Sequence, residues 1–261
     1  MLTPVNHIDE FLPVIKSSFL SAGASNDLTK DNLLTLNLCL TDTDRYAMYY
    51  APHNDDMNPD AVILIIGITP GFSQTRIAYQ TLLDALQQDP HASAQTLCHL
   101  AKVRSRFAGT MRRNLTDMLD QLGLPAYLSI PDSASLFNEH DRLLGTTSLL
   151  KYPVFRKHNG QLINYGGTSP SMLGDPYLTS FIRNSFTSEL AAMPDLKLII
   201  PLGKAVETAF LTIYPEYQHL VLRGLPHPSG VNAHRGQIFT ENRRALEMKL
   251  QNNFSNSTDL R

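Results

Sequence analysis

The feature that most constrains this chain is an unbroken apolar run over residues 61–67, Ala61-Val62-Ile63-Leu64-Ile65-Ile66-Gly67. No polar residue alternates within it and β-branched residues dominate. Such a run suits a strand buried on both faces, as in a parallel sheet. It stops at Gly67-Ile68-Thr69-Pro70-Gly71, where two glycines and a proline favour a tight turn, and helical spacing follows over 75–88. A second run of the same kind, 196–202, ends in Gly203 and leads into a helical pattern from Ala205. Further strands are expected over 147–152 and 219–222. Further helices are expected over 94–122, 177–192 and 236–251, with Gly109 breaking the first of them. Strands alternating with helices predict an α/β fold, a three-layer α/β/α sandwich around a mainly parallel central sheet.

The flanking segments read differently. Residues 6–21 and 28–40 carry apolar side chains at helical spacing, whereas 42–60 holds Pro52, Asn54 and Pro59 and reads as loop. Residues 1–60 are therefore expected to form an N-terminal helical region and loop packed on a main domain of residues 61–251. The polar stretch 252–261 reads as a frayed tail. Residues 158–176 are rich in Gly, Asn, Ser and Pro and read as an irregular loop.

Composition narrows the function classes. The formal charge of −2 gives no general attraction to nucleic acid, so a DNA partner requires a local basic face. Two cysteines supply neither a disulfide framework nor the four thiolates of an iron–sulfur cluster. The nine histidines show no metal-ligand spacing, so no metal is expected. The opening residues include His7, Asp9 and Glu10 rather than the basic and apolar start of a signal peptide, and no apolar run is long enough to cross a bilayer. A reduced, cytoplasmic protein with no membrane partner is the expectation.

In parallel sheets ligands bind at the carboxyl ends of the strands, and the turns at 67–71 and 224–230 both fall there. Each turn alone is ordinary. Together and in this order, Gly67-Ile68-Thr69-Pro70-Gly71 and His227-Pro228-Ser229 resemble the two signature motifs of the uracil-DNA glycosylase superfamily. The segments Ile199-Ile200-Pro201-Leu202-Gly203-Lys204-Ala205, 107–115 and 148–153 sit where that family has related stretches. The resemblance covers roughly residues 61–250, leaving the first 40 residues outside.

The resemblance implies a glycosylase-like fold and a monofunctional enzyme that flips a base from DNA, hydrolyses its N-glycosidic bond and leaves an abasic site. It needs no cofactor. His227 would donate a hydrogen bond to the departing base, and Ser229 would hold a DNA phosphate. Val231 would wedge into the gap left by the flipped nucleotide, and Gly230 would let the loop approach the groove. Gly67, Ile68, Pro70 and Gly71 would press on the base and sugar. Phe72 and Tyr79 are candidates for an aromatic lid, and Ser148 and Asn164 for reading the base edge. Asn232, His234, Arg235, Arg112 and Arg113 are candidates for contacts with the DNA backbone.

Thr69 departs from the family pattern, which places Asp, Asn or Glu there to position the attacking water. A threonine hydroxyl is a poor general base. Asp42 and Asp44 are the nearest carboxylates in sequence to take that role, or else they are solvated loop residues. The departure points to an unusual substrate, such as glucosylated hydroxymethylcytosine in phage DNA, with residues 158–176 around the bulky base. Two alternatives stand beside this: a superfamily member that binds DNA without excision, and an α/β nucleotide-binding protein that shares only the fold.

Overall fold

The computed structural model describes residues 6–21, 27–168 and 171–255. In chain order the elements are α1 (Ile8–Phe19), α2 (Lys30–Leu33), β1 (Cys39–Asp42), β2 (Tyr46–Tyr49), β3 (Ile63–Gly67), α3 (Phe72–Gln88), α4 (Ala94–Ser105), α5 (Thr110–Gln121), α6 (Leu124–Leu128), β4 (Leu144–Ser148), β5 (Val154–His158), β6 (Gln161–Asn164), α7 (Pro176–Ala191), β7 (Leu198–Pro201), α8 (Lys204–Ile213) and α9 (Arg235–Ser255).

The apolar run does form the central strand. β3 pairs in parallel with β4 on one side and β7 on the other. Its side chains divide by parity, as a pleated strand requires. Leu64 and Ile66 pack into a core shared with α1, α3, α4, α7 and α8. Ile63 and Ile65 pack into a second core shared with α5, α6 and α9. Both faces are thus covered by helices, and this explains why the strand tolerates no polar alternation. The first core includes Ile8, Phe11, Ile15 and Phe19 of α1, so the N-terminal helix packs against the same side of the sheet as α3 and α4.

The central sheet is parallel throughout, as expected, though of only three strands, and a separate four-stranded antiparallel sheet in the order β1-β2-β5-β6 stands beside it. Three expectations are corrected. Residues 42–60 contain β2, whose four residues are all buried, because Tyr46 and Met48 face the first core while Ala47 and Tyr49 face a small cluster with Phe155. Residues 158–164 are the turn and second strand of the β5–β6 hairpin, not irregular loop; Asn159 and Gly160, both at positive φ, make the turn. The strand expected over 219–222 reduces to one parallel bridge, Ile199 to Val221.

Gly109 separates α4 from α5 as expected, at φ +80°. The last helix runs past 251 to Ser255 because Phe254 is buried and stacks on Tyr127. Residues 1–5 and 256–261, on which parts of the expected N-terminal region and tail fall, lie outside the described residues, as do 22–26 and 169–170 within the expected helical region and loop. No helix among the described residues is long and apolar enough to cross a membrane.

Candidate functional site

The bend after β3 is held from three directions. The carbonyls of Gly67 and Ile68 accept from the N–H groups of Leu149 and Leu150, extending the register with β4 beyond its last paired residue. The Thr69 hydroxyl donates to the Tyr152 carbonyl at 2.8 Å and accepts from the Val154 N–H at 2.9 Å, which ties the bend to the start of β5. Gly71 then caps α3, its N–H donating to Gln74 Oε1 at 3.2 Å. Gly67 leaves little room for a side chain: a β-carbon there would meet Ser148 Oγ at 3.2 Å.

The loop at 227–232 is equally determined. The N–H of Ser229 donates to His227 Nδ1 at 3.1 Å. Nδ1 is therefore an acceptor, and the neutral ring carries its proton on Nε2. Burial lowers the His227 pKa, so the neutral form prevails near pH 7. Asn232 Nδ2 donates to the His227 carbonyl at 3.0 Å and Asn114 Nδ2 to the Pro228 carbonyl at 2.8 Å, anchoring the loop to itself and to α5. Arg235 donates to the Ser229 carbonyl at 3.1 Å. The Ser229 hydroxyl oxygen accepts from the Val231 N–H, leaving its proton free to donate. Val231 itself is 92% exposed at the loop tip.

These two loops meet. They share one cleft of about 320 Å³, lined by Gly67, Ile68, Thr69 and Gly71 on one side and by His227 on the other, with Ser148 and Asn164 between. Asn164 is fixed there because its Oδ1 accepts from the Phe72 N–H at 3.3 Å, which leaves its Nδ2 donors for a ligand. The N-terminus of α3 also faces the cleft through Ser73 and Gln74, and its helix dipole favours negative charge there. Among the described residues, every polar side chain lining the cleft is uncharged at neutral pH.

Other expected site residues lie elsewhere. Asp42 is on β1, the edge of the antiparallel sheet farthest from Asn164 on β6, three strand spacings or about 14 Å away. It forms an ion pair with Lys157. Asp44 is exposed and lines a different surface hollow with Arg45 and Asp175. Neither carboxylate faces the cleft. Thr69 lines it, but its only proton goes to the Tyr152 carbonyl, so it ties strands together rather than acting as a base.

The aromatic candidates also need correcting. Tyr79 is fully buried and donates to the Tyr50 carbonyl at 2.9 Å, and Phe72 packs between the first core and Phe155, beside Lys30. Pro70 is buried rather than presented to a ligand. Arg112 lies over the Phe137 ring and donates to the carbonyls of Val103, Arg104 and Arg106, closing the end of α4. That leaves Arg113, which is exposed and touches Thr110, together with His234 and Arg235 as the basic rim of the loop. Gly230 packs against Thr110, where a β-carbon would come within 3.3 Å of its methyl group.

Sequence reasoning missed the aromatic walls. Phe107 and Tyr165 line the cleft. Phe107 sits at φ +50°, a strained conformation for a bulky residue, and its ring reaches to 3.5 Å of the space beside Gly67. Gln74 was missed as well, although Gly-x-x-Gln at a helix start is a readable capping signal.

The fold and site thus define an α/β protein with an uncharged, largely apolar cleft at the carboxyl end of a short parallel sheet, faced by one neutral histidine. No protein-family model matches the chain. It is 40% identical over 229 residues to the uncharacterized protein YoxB of Bacillus subtilis (strain 168), an alignment that covers 87% of each chain. The chain belongs to the same family as YoxB.

Proposed function

We propose that this protein is a DNA glycosylase of the uracil-DNA glycosylase type, which hydrolyses the bond between a flipped base and its deoxyribose. One observation carries the reading: the Gly-x-x-Pro-Gly bend and the His-Pro-Ser loop, far apart in sequence, face each other across one cleft. The fold assignment to that superfamily's sandwich is part of the proposal and rests on the three parallel strands with helices on both faces.

The chemistry follows from the groups present. Cleavage of C1′–N sends the bonding pair onto the base and leaves positive charge on the sugar. Water then supplies oxygen to C1′ and releases a proton. His227, neutral with Nε2–H outward, donates to the base as its charge develops. The α3 N-terminus and Asn164 Nδ2 add further donors. Phe107 and Tyr165 supply faces for base stacking. Ser229 and the rim of Arg113, His234 and Arg235 suit phosphates, and Val231 suits the wedge.

A cleft without a carboxylate suits departure of a good leaving group ahead of water attack, because no strong base is then needed. It also favours a second reading, a protein that binds flipped bases without excising them. Oligonucleotides bearing uracil, hypoxanthine or hydroxymethylcytosine derivatives separate the two. Alkali-labile abasic sites support the glycosylase; tight binding with intact strands supports the binder; neither outcome removes both.

A further inference from the structure

A second cavity, of about 270 Å³, lies on the other side of the α4–α5 junction from the cleft, against the amino-terminal half of β4. It shares no lining residue with the cleft. Its buried lining residues include Lys102 at 7% exposure, Arg106 at 6% and Thr146 at 8%. Arg106 Nε and Thr146 Oγ1 are buried without a hydrogen-bond partner among the described residues. The Lys102 ammonium has no carboxylate within ion-pairing distance there, although Asp56 and Glu189 lie near enough to act on it.

The carboxylates around the cavity are already engaged. Asp56 and Asp141 flank His99, at 3.4 and 3.8 Å, and Asp141 also lies 3.8 Å from Arg106. Glu189 accepts from the Thr147 hydroxyl at 2.6 Å and pairs with Lys151 at 3.5 Å. What remains unmet is all on the donor side: an ammonium, a guanidinium N–H and a hydroxyl. Lys102 is buried with no counter-ion at bonding distance among the described residues, a costly arrangement, so a fold that keeps it there gains from an anion beside it. Buried Arg106 would supply a directed donor and Lys102 a point charge, the pairing that suits a tetrahedral oxyanion.

We infer that this cavity binds a phosphate group, free or carried on a small molecule, held by Lys102, Arg106 and Thr146. The inference is independent of base excision, since it uses none of the cleft residues.

Isothermal titration with inorganic phosphate, at ionic strength held constant with chloride, tests it on the whole chain. Wild type should bind saturably, and Thr146→Val should bind about tenfold or more weakly, because a donor to a charged acceptor is lost. That variant removes an unpaired buried hydroxyl and so should fold at least as well as wild type, which keeps the test sound if Lys102→Gln does not fold. Tighter binding of glycerol phosphate than of phosphate would support the site and assign an organic ester as its ligand; equal binding would support it with free phosphate. No saturable heat, undiminished binding in Thr146→Val, or loss of binding in Ser229→Ala would overturn it, the last by moving the phosphate to the cleft.

Discussion

Gly203 and His227 are packed so closely that a β-carbon on Gly203 would stand 2.9 Å from the β-carbon of His227. Gly203 ends the loop after β7 at φ +87°, a conformation that L side chains rarely adopt. The strand-to-helix turn after β7 therefore sets how deep the histidine sits. Gly203→Ala should destabilise the fold by about 1–3 kcal/mol through strain and push His227 out of line. Denaturant unfolding together with a base-release assay checks this: activity should fall by more than the loss of folded protein accounts for. A variant with wild-type activity per folded molecule would show that the contact does not position the ring.

Thr69 is predicted to matter for stability through its double tie to β5. Thr69→Val keeps the shape but leaves the Val154 N–H and the Tyr152 carbonyl without their partner. The expected loss is about 1–3 kcal/mol, read as a lower denaturation midpoint with an unchanged m-value. An unaffected midpoint would mean that the hydroxyl is free, and would return Thr69 to the role of holding water.

The parts of this fold legible in the sequence were those set by local pattern. The run 61–67 had one reading because it was apolar at every position, and Gly109 broke α4 from α5 as its backbone freedom allows. The antiparallel sheet was not legible: β2 is buried on both sides yet is only Tyr46-Ala47-Met48-Tyr49, too short for periodicity to speak. In the site, the two loops were legible only together and in order, through their resemblance to a pair of family motifs, since each turn alone is ordinary. Phe107 and Tyr165 were not, since a residue's entry into a cleft depends on which strands and helices end there. Lys102 was not legible from its charge: it lies four residues after Cys98 and shares that residue's buried face of α4.

Val231 should act in duplex DNA and not in single strands. Its side chain protrudes from the loop with nothing packed around it, so truncation costs the fold little. Val231→Gly is expected to slow base release from duplex oligonucleotides by roughly tenfold or more, while release from single strands changes less than about twofold, because only a stack leaves a gap to fill. Equal losses on both substrates would contradict a wedge.

Stability should fall in acid because of His53. Both of its ring nitrogens are buried without partners among the described residues, and burial, aided by Lys102, pushes its pKa down to about 3 from 6.5. The unfolded chain then takes up the proton first, so folding loses stability as pH drops below 6.5 and the loss levels off near pH 3. The slope from this one group is at most about 1.4 kcal/mol per pH unit. Urea midpoints of wild type and His53→Leu between pH 7 and pH 4 check it. The variant's profile should be flatter by up to that slope; parallel profiles would mean that His53 is solvated or paired.

The most direct measurement is single-turnover base release from DNA by wild type and His227→Ala, scored as alkali-labile abasic sites on a substrate that wild type cleaves. Removing one preorganised donor to a departing base is expected to lower the rate by about 10²–10³-fold while DNA binding and the unfolding midpoint stay near wild type. A variant that releases base as fast as wild type would contradict the account, as would a wild-type protein that leaves every tested base attached.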